Sequence, residues 1–378
     1  PTSASEEPLE LPGEIPTFRP RIEAARPEYS VRIESRLANS TLWAPAGHET
    51  GFDEFILQPG RRYLAHTGPG GKLDMTRNGH LTVVTGHRFW ILFNRETGTI
   101  ESWRVGDREI LYDKPIAPPD GSGCQPQPAG PRVSLLRAFI DNDRFIREEW
   151  KKAGYDRMWQ EVRQVRETCG GAEAVFTVES VLCPVAGSPL FDVETVYTVD
   201  PHGTLSVTVR INPRRSGLPR LPRFGIRLSL RSVFQEVSWY GLGPGEAYRD
   251  MRLGARTGIW RRRIDEMEEP RIFPQENGLR HEIRWLRMHD ERGWGLLVEN
   301  GSVFSAAARR QTVEDLLHTA HACDLPRREM VELCLDQAME GIGSQSCGQP
   351  PLPEYRLPCG PMEATFRITP FRPEDGER

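Results

Sequence analysis

The sequence lacks any long hydrophobic run. Apolar residues make up 38% of its 378 residues, and no stretch approaches the roughly eighteen residues that a transmembrane helix requires. The N-terminal segment PTSASEEPLELPGEIP is acidic and proline-rich, without the basic start and apolar centre of a secretory signal peptide. These absences predict a soluble, cytoplasmic protein with no membrane partner.

The chain also lacks a strong excess of charge. Its 49 Lys and Arg residues against 53 Asp and Glu residues give a net charge of −4, and the two signs are interspersed. No basic stripe marks a nucleic-acid partner. A neutral partner is the better expectation.

Cysteine is scarce and scattered. The seven cysteines are widely spaced, and none belongs to a C-x-x-C pair. Neither a disulfide framework nor a zinc site is favoured. We therefore expect free, mostly buried thiols in a reducing compartment.

Short strand-like segments dominate what is present. HLTVVTG, FWILFNRETGTIESW, AVFTVESVL, DVETVYTVD, TLSVTVRIN, FGIRLSL, WGLLVENG and SVFSAAA are rich in β-branched and aromatic residues and bounded by Gly, Pro, Asn or Asp. Helical patterns are few, the better ones being RFIREEWKKAG and TVEDLLHT, where Thr312 and Asp315 resemble a capping box. No fixed repeat or βαβ alternation occurs, so the pattern predicts a large antiparallel β protein.

The chain divides at residues 59–74, which are rich in glycine and basic residues and predict a linker. Residues 1–58 hold enough pattern for two or three strands, including EYSVRIESRLA and GFDEFILQ. So few strands would leave sheet edges exposed. We therefore expect the remaining strands of that first domain to come from missing sequence or another chain.

Several unusual strings occur in a fixed order: LWAPAGHETGFDEF, FNRETGTIESW, RAFIDNDRF, WYGLGPGEAYRD, FPQENGLR, HTAHACDLP and MEGIGSQSCG. Together they closely resemble the C-terminal region of β-galactosidases of glycoside hydrolase family two, from about residue 9 to the end. The resemblance implies that residues 1–58 are the tail of an immunoglobulin-like domain. It also implies that residues 75–378 form an antiparallel supersandwich of the galactose-mutarotase type, encoded in some relatives as a separate small subunit.

The resemblance further implies a divided enzyme. In the family, the two catalytic carboxyl groups lie on a TIM-barrel domain, and no stretch here resembles a barrel strand that carries one, so no catalytic residue is assigned to this chain. The expected function is to complete the active site and assembly of a β-galactosidase that hydrolyses terminal β-D-galactosides such as lactose. The implied partners are the barrel-containing part, in the same or a separate chain, and further copies in an oligomer. The family's magnesium and sodium sites lie on other domains, so no metal is assigned here.

One loop of this region reaches the sugar pocket in the family, often with a tryptophan. The matching stretch is GIGSQSCGQP, which places Cys347 where many members have Trp. The resemblance implies that Gln345, Ser346, Cys347 and Gly348 line the substrate pocket, with weaker stacking than an indole would give. The alternative is a plain Gly/Ser loop that holds a buried thiol.

Two other polar motifs are interpreted as structural. Arg137, Asp141, Asn142 and Asp143 suit a loop framework, with a substrate channel as the alternative. Asn-Gly in PQENGLR signals a turn, which in isolation suggests a surface hairpin, whereas the resemblance implies a packing element. In that element, Asn277 and Gly278 form the turn, while Gln275, Glu276 and Arg280 are tied into hydrogen bonds.

The sequence leaves two other functions open. The chain could be a stand-alone carbohydrate-binding module that has lost its partner. It could also be a sugar epimerase, for which Glu276 and His281 are the acid and base pair to consider. His318 and His321, spaced i, i+3, would share a helix face, but no third metal ligand is evident, and a short helix end is the better interpretation.

Overall fold

The computed structural model describes residues 28–60, 71–119, 126–185 and 187–372. Chain contacts divide the protein into two compact units, Pro1–Gly68 and Pro69–Arg378. Among the described residues, no helix combines the length and the apolar character needed to cross a membrane.

The first unit contains an antiparallel pair of strands. β1 (Tyr29–Arg36) and β2 (Glu49–Gln58) coincide with the two segments expected from the sequence. The assignment of residues 1–58 to an immunoglobulin-like domain stays a prediction. Most of the predicted linker, residues 61–70, lies outside the described residues, and the next strand begins at Asp74.

The second unit is built from antiparallel strands. Its strands are β3 (Asp74–Asn78), β4 (Leu81–Gly86), β5 (Phe89–Asn94), β6 (Thr99–Val105), β7 (Arg108–Glu109), β8 (Arg132–Ser134), β9 (Met158–Cys169), β10 (Ala174–Pro184), β11 (Phe191–Val199), β12 (Leu205–Pro213), β13 (Arg223–Arg231), β14 (Glu236–Gly243), β15 (Arg256–Arg263), β16 (Arg280–His289), β17 (Gly295–Arg309), β18 (Met330–Met339) and β19 (Met362–Phe371). Two short helices, α1 (Ile146–Ala153) and α2 (Val313–His318), accompany them. The expectation of a mainly antiparallel β fold is confirmed.

The strands form a small sheet and a large one. β3 to β7 make a five-stranded meander in chain order, whereas the large sheet has twelve strands, nine of them in the order β15-β14-β16-β17-β19-β12-β11-β10-β9. This sheet branches at β17, whose first half pairs with β19 and whose last residues pair with β18. β18 then pairs with β13, and β13 with β8. The branch therefore places the ends of β8 and β18 on either side of β13.

The core lies between the two sheets, because alternate residues of their strands point inward. In β11 every second residue from Phe191 to Val199 is buried, which is the period expected of a strand with one covered face. Phe93 of the meander stacks on Phe176 of the large sheet with ring centroids 4.2 Å apart. Each such fully buried side chain stabilises the fold by about 1.5–3 kcal/mol.

Both helices lie where the sequence predicts them. α1 buries Ile146 and Trp150 and ends at Gly154, whose φ of 84° lets the backbone turn out of the helix. At the start of α2, the Thr312 side chain accepts a hydrogen bond from the Asp315 backbone, and the Asp315 carboxylate accepts one from Thr312. The predicted capping box is confirmed.

Candidate functional site

A buried arginine connects the RAFIDND motif to the end of β18. Arg137 is fully buried and pairs with Asp143, with Nη2 2.6 Å from Oδ1. Its other terminal nitrogen, Nη1, donates to the Glu340 carbonyl at 2.6 Å, and Nη2 also reaches the Gly341 carbonyl at 3.3 Å. Arg137 therefore fixes the backbone at the point where β18 leaves the sheet.

Asn142 holds the segment that follows, residues 341–350, here called the site loop. Its side-chain amide donates to the Gly343 carbonyl at 2.7 Å, and its carbonyl oxygen accepts from the Ser346 backbone N–H at 3.1 Å. One side chain thus spans the loop from its root to its tip. Asp141, the remaining polar member of the motif, is exposed at the start of the same 3-10 turn.

Asp250 provides a third anchor that the sequence analysis missed. Its carboxylate accepts hydrogen bonds from the backbone N–H groups of Ile342 at 3.0 Å and Gly343 at 2.8 Å. A methyl group added at Gly341 would come within 2.7 Å of the same carboxylate, so the backbone approaches it closely. The motif WYGLGPGEAYRD contains Asp250, but nothing local in that string indicates that its partner lies some ninety residues later.

The tip of the site loop closes on itself and faces solvent. Ser344 accepts hydrogen bonds from the backbone N–H groups of Cys347 and Gly348 and donates its own N–H to the Gln349 carbonyl. Ser346, Cys347 and Gly348 are exposed and Gln345 is half-buried. The four nominated pocket residues therefore lie together on one ordered turn.

The position of Cys347 corrects two expectations. Its thiol is exposed, so the alternative of a loop built around a buried thiol is wrong. The broader expectation of mostly buried thiols is also wrong, because among the six described cysteines Cys169 and Cys323 are exposed as well, and only Cys183 and Cys334 are buried. Cys124 lies outside the described residues.

The PQENG motif is buried, so the surface-hairpin interpretation is wrong. Gly278 has a φ of 72°, and a side chain there would meet the Met267 carbonyl oxygen at 2.4 Å. The Asn277 amide donates to the Gln275 carbonyl at 2.9 Å, and the Gln275 amide donates to Phe273 at 3.2 Å. Arg280 donates back to the Gly278 carbonyl at 3.0 Å. The turn is therefore an internal support of the fold.

Glu276 of this motif is the centre of a buried ion network. Arg309 Nη2 lies 2.6 Å from Glu276 Oε1, and Arg223 lies 3.7 Å from its other oxygen. Burial by itself would raise the pKa of Glu276, but the two guanidinium groups outweigh it and hold that pKa below its ordinary value. Arg223 also pairs with Asp336 of β18 at 3.0 Å. The network ties the PQENG turn to β13, β17 and β18, directly before the site loop.

The comparison with protein families decides the identity. The model of the family described as "Beta galactosidase small chain" matches residues 85–368. The chain belongs to the β-galactosidase small-chain family. This small-chain protein is 31% identical over 235 residues to a β-galactosidase from Actinobacillus pleuropneumoniae, covering 62% of this chain and 22% of that protein. It is 26% identical over 371 residues to a β-galactosidase from Streptococcus thermophilus, covering 95% of this chain and 34% of that protein.

The small chain spans about a third or less of the length of these curated relatives. Among solved structures, it is similar to galactose 1-epimerase from Lactobacillus acidophilus NCFM, with a TM-score of 0.46 and 10% identity. That match covers 80% of this chain and 99% of the epimerase.

The structure does not join the residues nominated for an epimerase. Glu276 forms ion pairs with Arg309 and Arg223, whereas Nδ1 of His281 lies 2.8 Å from the Ser305 hydroxyl. In the described part of the chain, no hydrogen bond or ion pair links Glu276 to His281.

The two histidines of HTAHACDLP do not share a helix face. His318 is the last residue of α2, and His321 precedes a separate 3-10 turn with extended backbone. Among the described residues, no group of three or more His, Cys, Asp or Glu side chains is arranged to hold a metal ion.

Proposed function

We propose that this chain completes the active site of a β-galactosidase that hydrolyses terminal β-D-galactosides such as lactose. The observation that carries the proposal is the site loop. Arg137, Asn142 and Asp250 fix its backbone from two other segments, and yet Cys347 at its tip is exposed. A loop that is rigidly anchored and exposed at its end suits a surface presented to another part of an enzyme.

The bond-breaking groups belong elsewhere in this proposal. A retaining glycosidase places two carboxyl groups about 5 Å apart, one as nucleophile and one as acid and base. We assign both to a barrel-containing part, in the same polypeptide or a separate one, and expect this chain alone to be inactive. Magnesium and sodium ions would likewise be bound by that part. The complete enzyme would be a cytoplasmic oligomer.

The site loop would form one wall of the galactose pocket. Gln345, Ser346 and Gly348 would surround the sugar with hydrogen-bonding groups, and the Cys347 thiol would contact the apolar face of the ring. Because a thiol offers less area than an aromatic ring, other parts of the pocket would supply more of the binding of small galactosides.

The test is hydrolysis of a chromogenic aryl β-galactoside by the purified chain, alone and mixed with a barrel-containing partner from the same source. We expect activity only in the mixture, and we expect Cys347→Ala to raise KM there. Cys323→Ala is the matched control, because Cys323 is also an exposed free thiol but lies outside the site loop.

Activity of the isolated chain would contradict the assignment of the carboxyl groups to a partner. Inactivity in both conditions, together with sugar binding, would favour a stand-alone carbohydrate-binding module. An equal effect of the two cysteine variants on KM would contradict the placement of the site loop in the galactose pocket.

A further inference from the structure

A cavity of about 270 Å³ lies at the base of the site loop. Its walls come from β16, β17 and β18 and from the segment between β14 and β15. Two of its lining residues connect the cavity to the site loop: Arg249 directly precedes the anchor Asp250, and the Tyr355 carbonyl accepts a hydrogen bond from the Gly341 N–H at 2.8 Å. The cavity and the site loop therefore share one framework, although no sequence motif indicated the cavity.

Several polar groups on the cavity wall have no partner in the described part of the chain. Tyr248 is only 3% exposed, and its hydroxyl makes no hydrogen bond with a described residue. The same holds for the hydroxyl of Tyr355 and for Nε2 of His281, whose other ring nitrogen is held by Ser305 at 2.8 Å. These hydroxyl and ring-nitrogen groups are therefore available as hydrogen-bond partners for a ligand in the cavity.

The charges around the cavity are balanced or engaged. Arg252 pairs with Glu282 at 2.7 Å, and Arg249 donates to the Glu354 carbonyl at 2.9 Å. Glu340 is occupied by Arg220 at 3.2 Å and by the Leu357 N–H. Beside Arg249, the Asp250 carboxylate carries the opposite charge while it holds the site loop.

His281 adds no charge near neutral pH. Burial, followed by the nearby Arg252 and Arg249, lowers its pKa to about 4. The wall thus combines neutral hydroxyl and imidazole groups with the apolar side chains of Leu279, Ala338 and Met339.

We propose that this cavity is a second carbohydrate site, which binds one neutral hexopyranose separately from the site loop. Its volume lies just below the roughly 300–1,000 Å³ of pockets for drug-sized ligands, so it suits a single sugar ring. Tyrosine combines a flat apolar face with a hydroxyl, and a pyranose likewise combines C–H faces with hydroxyl groups. The choice of D-galactose as the ligand rests on the proposed function, whereas the existence of the site rests on the cavity.

The test is isothermal titration calorimetry of the full chain without a barrel partner. The titrants are D-galactose and the anionic D-galacturonate. We expect one galactose per chain and a Kd raised roughly two- to tenfold by Tyr248→Phe, because that change removes one hydrogen bond. Tyr355→Phe, at a less buried position, is the second variant should Tyr248→Phe fail to fold, as judged by near-ultraviolet circular dichroism. Cys323→Ala, at an exposed thiol outside both the cavity and the site loop, should leave the Kd unchanged.

Three outcomes would overturn the proposal. They are the absence of galactose binding, tighter binding of galacturonate than of galactose, and an unchanged Kd in both folded tyrosine variants. None of them bears on the mixing assay with the barrel partner, so the failure of this site and the failure of the proposed function are distinguishable.

Discussion

Replacing Asn142 with alanine should loosen the site loop while the domain stays folded. The Asn142 side chain makes two hydrogen bonds to the loop, at 2.7 Å to the Gly343 carbonyl and 3.1 Å from the Ser346 N–H. A net contribution of about 1 kcal/mol from each gives about 2 kcal/mol in favour of the docked loop. That free energy corresponds to a factor of up to about 30 in the docked population.

The assay is kcat/KM for an aryl β-galactoside in the mixture with the barrel partner, alongside urea unfolding of the isolated chain. We expect kcat/KM to fall by up to about thirtyfold, the remaining anchors at Asp250 and Arg137 keeping the loss below that bound. The free energy of unfolding should fall by no more than about 1–3 kcal/mol.

Asn94 provides the matched control. It is 7% exposed, donates to Glu101 at 2.6 Å and accepts from the Glu96 N–H at 2.8 Å, on a turn of the five-stranded meander. Asn94→Ala should destabilise the chain to a similar extent and leave kcat/KM unchanged. If Asn142→Ala also left kcat/KM unchanged at full occupancy of the partner, the idea that loop docking supports activity would be refuted.

Three further predictions concern the site loop, the ion network and acid stability. Cys347→Trp should lower KM for small galactosides about two- to tenfold, since an aromatic face stacks on the sugar; an unchanged or raised KM would contradict a sugar contact at this position. Glu276→Gln should cost about 3–5 kcal/mol in urea unfolding, because it leaves the buried Arg309 and Arg223 without their shared carboxylate; a loss below about 1 kcal/mol would show that the pairing is weak. Because burial lowers the pKa of His281 to about 4, the unfolded chain binds a proton between about pH 6.5 and pH 4 that the folded chain does not, so the free energy of unfolding should fall as the pH falls through that window. His281→Gln should reduce this fall by up to about 3 kcal/mol, and an identical pH dependence in wild type and variant would disprove the assignment.

Local patterns predicted part of the secondary structure, but no segment was predicted at β9, β15, β16, β18 or β19. The alternation of buried residues in β11, the Thr312 capping box and the Gly154 helix end all depend on residues close in sequence. Such preferences act within a turn or a strand, so they can be interpreted without the fold. The order of the motifs also carried the family resemblance, which the match over residues 85–368 bears out.

The burial of polar motifs could not be predicted from local patterns. PQENG has the composition of an exposed turn, yet Glu276 lies in the interior, because Arg309 and Arg223 come from distant strands to balance its charge. Cys347 shows the reverse case, since a residue type that is usually buried lies exposed on the loop.

The sequence alone determined the class of fold, because strand periodicity is a property of the linear chain. The four loop-tip residues were nominated by the resemblance to the family, and their role stays a prediction. Only the tertiary structure decided how that loop is held. Asn142 reaches the loop from roughly two hundred residues away along the chain, and Asp250 reaches it from roughly ninety. The branching of the large sheet at β17 brings these segments together, and no local pattern encodes a hydrogen bond between groups so far apart along the chain.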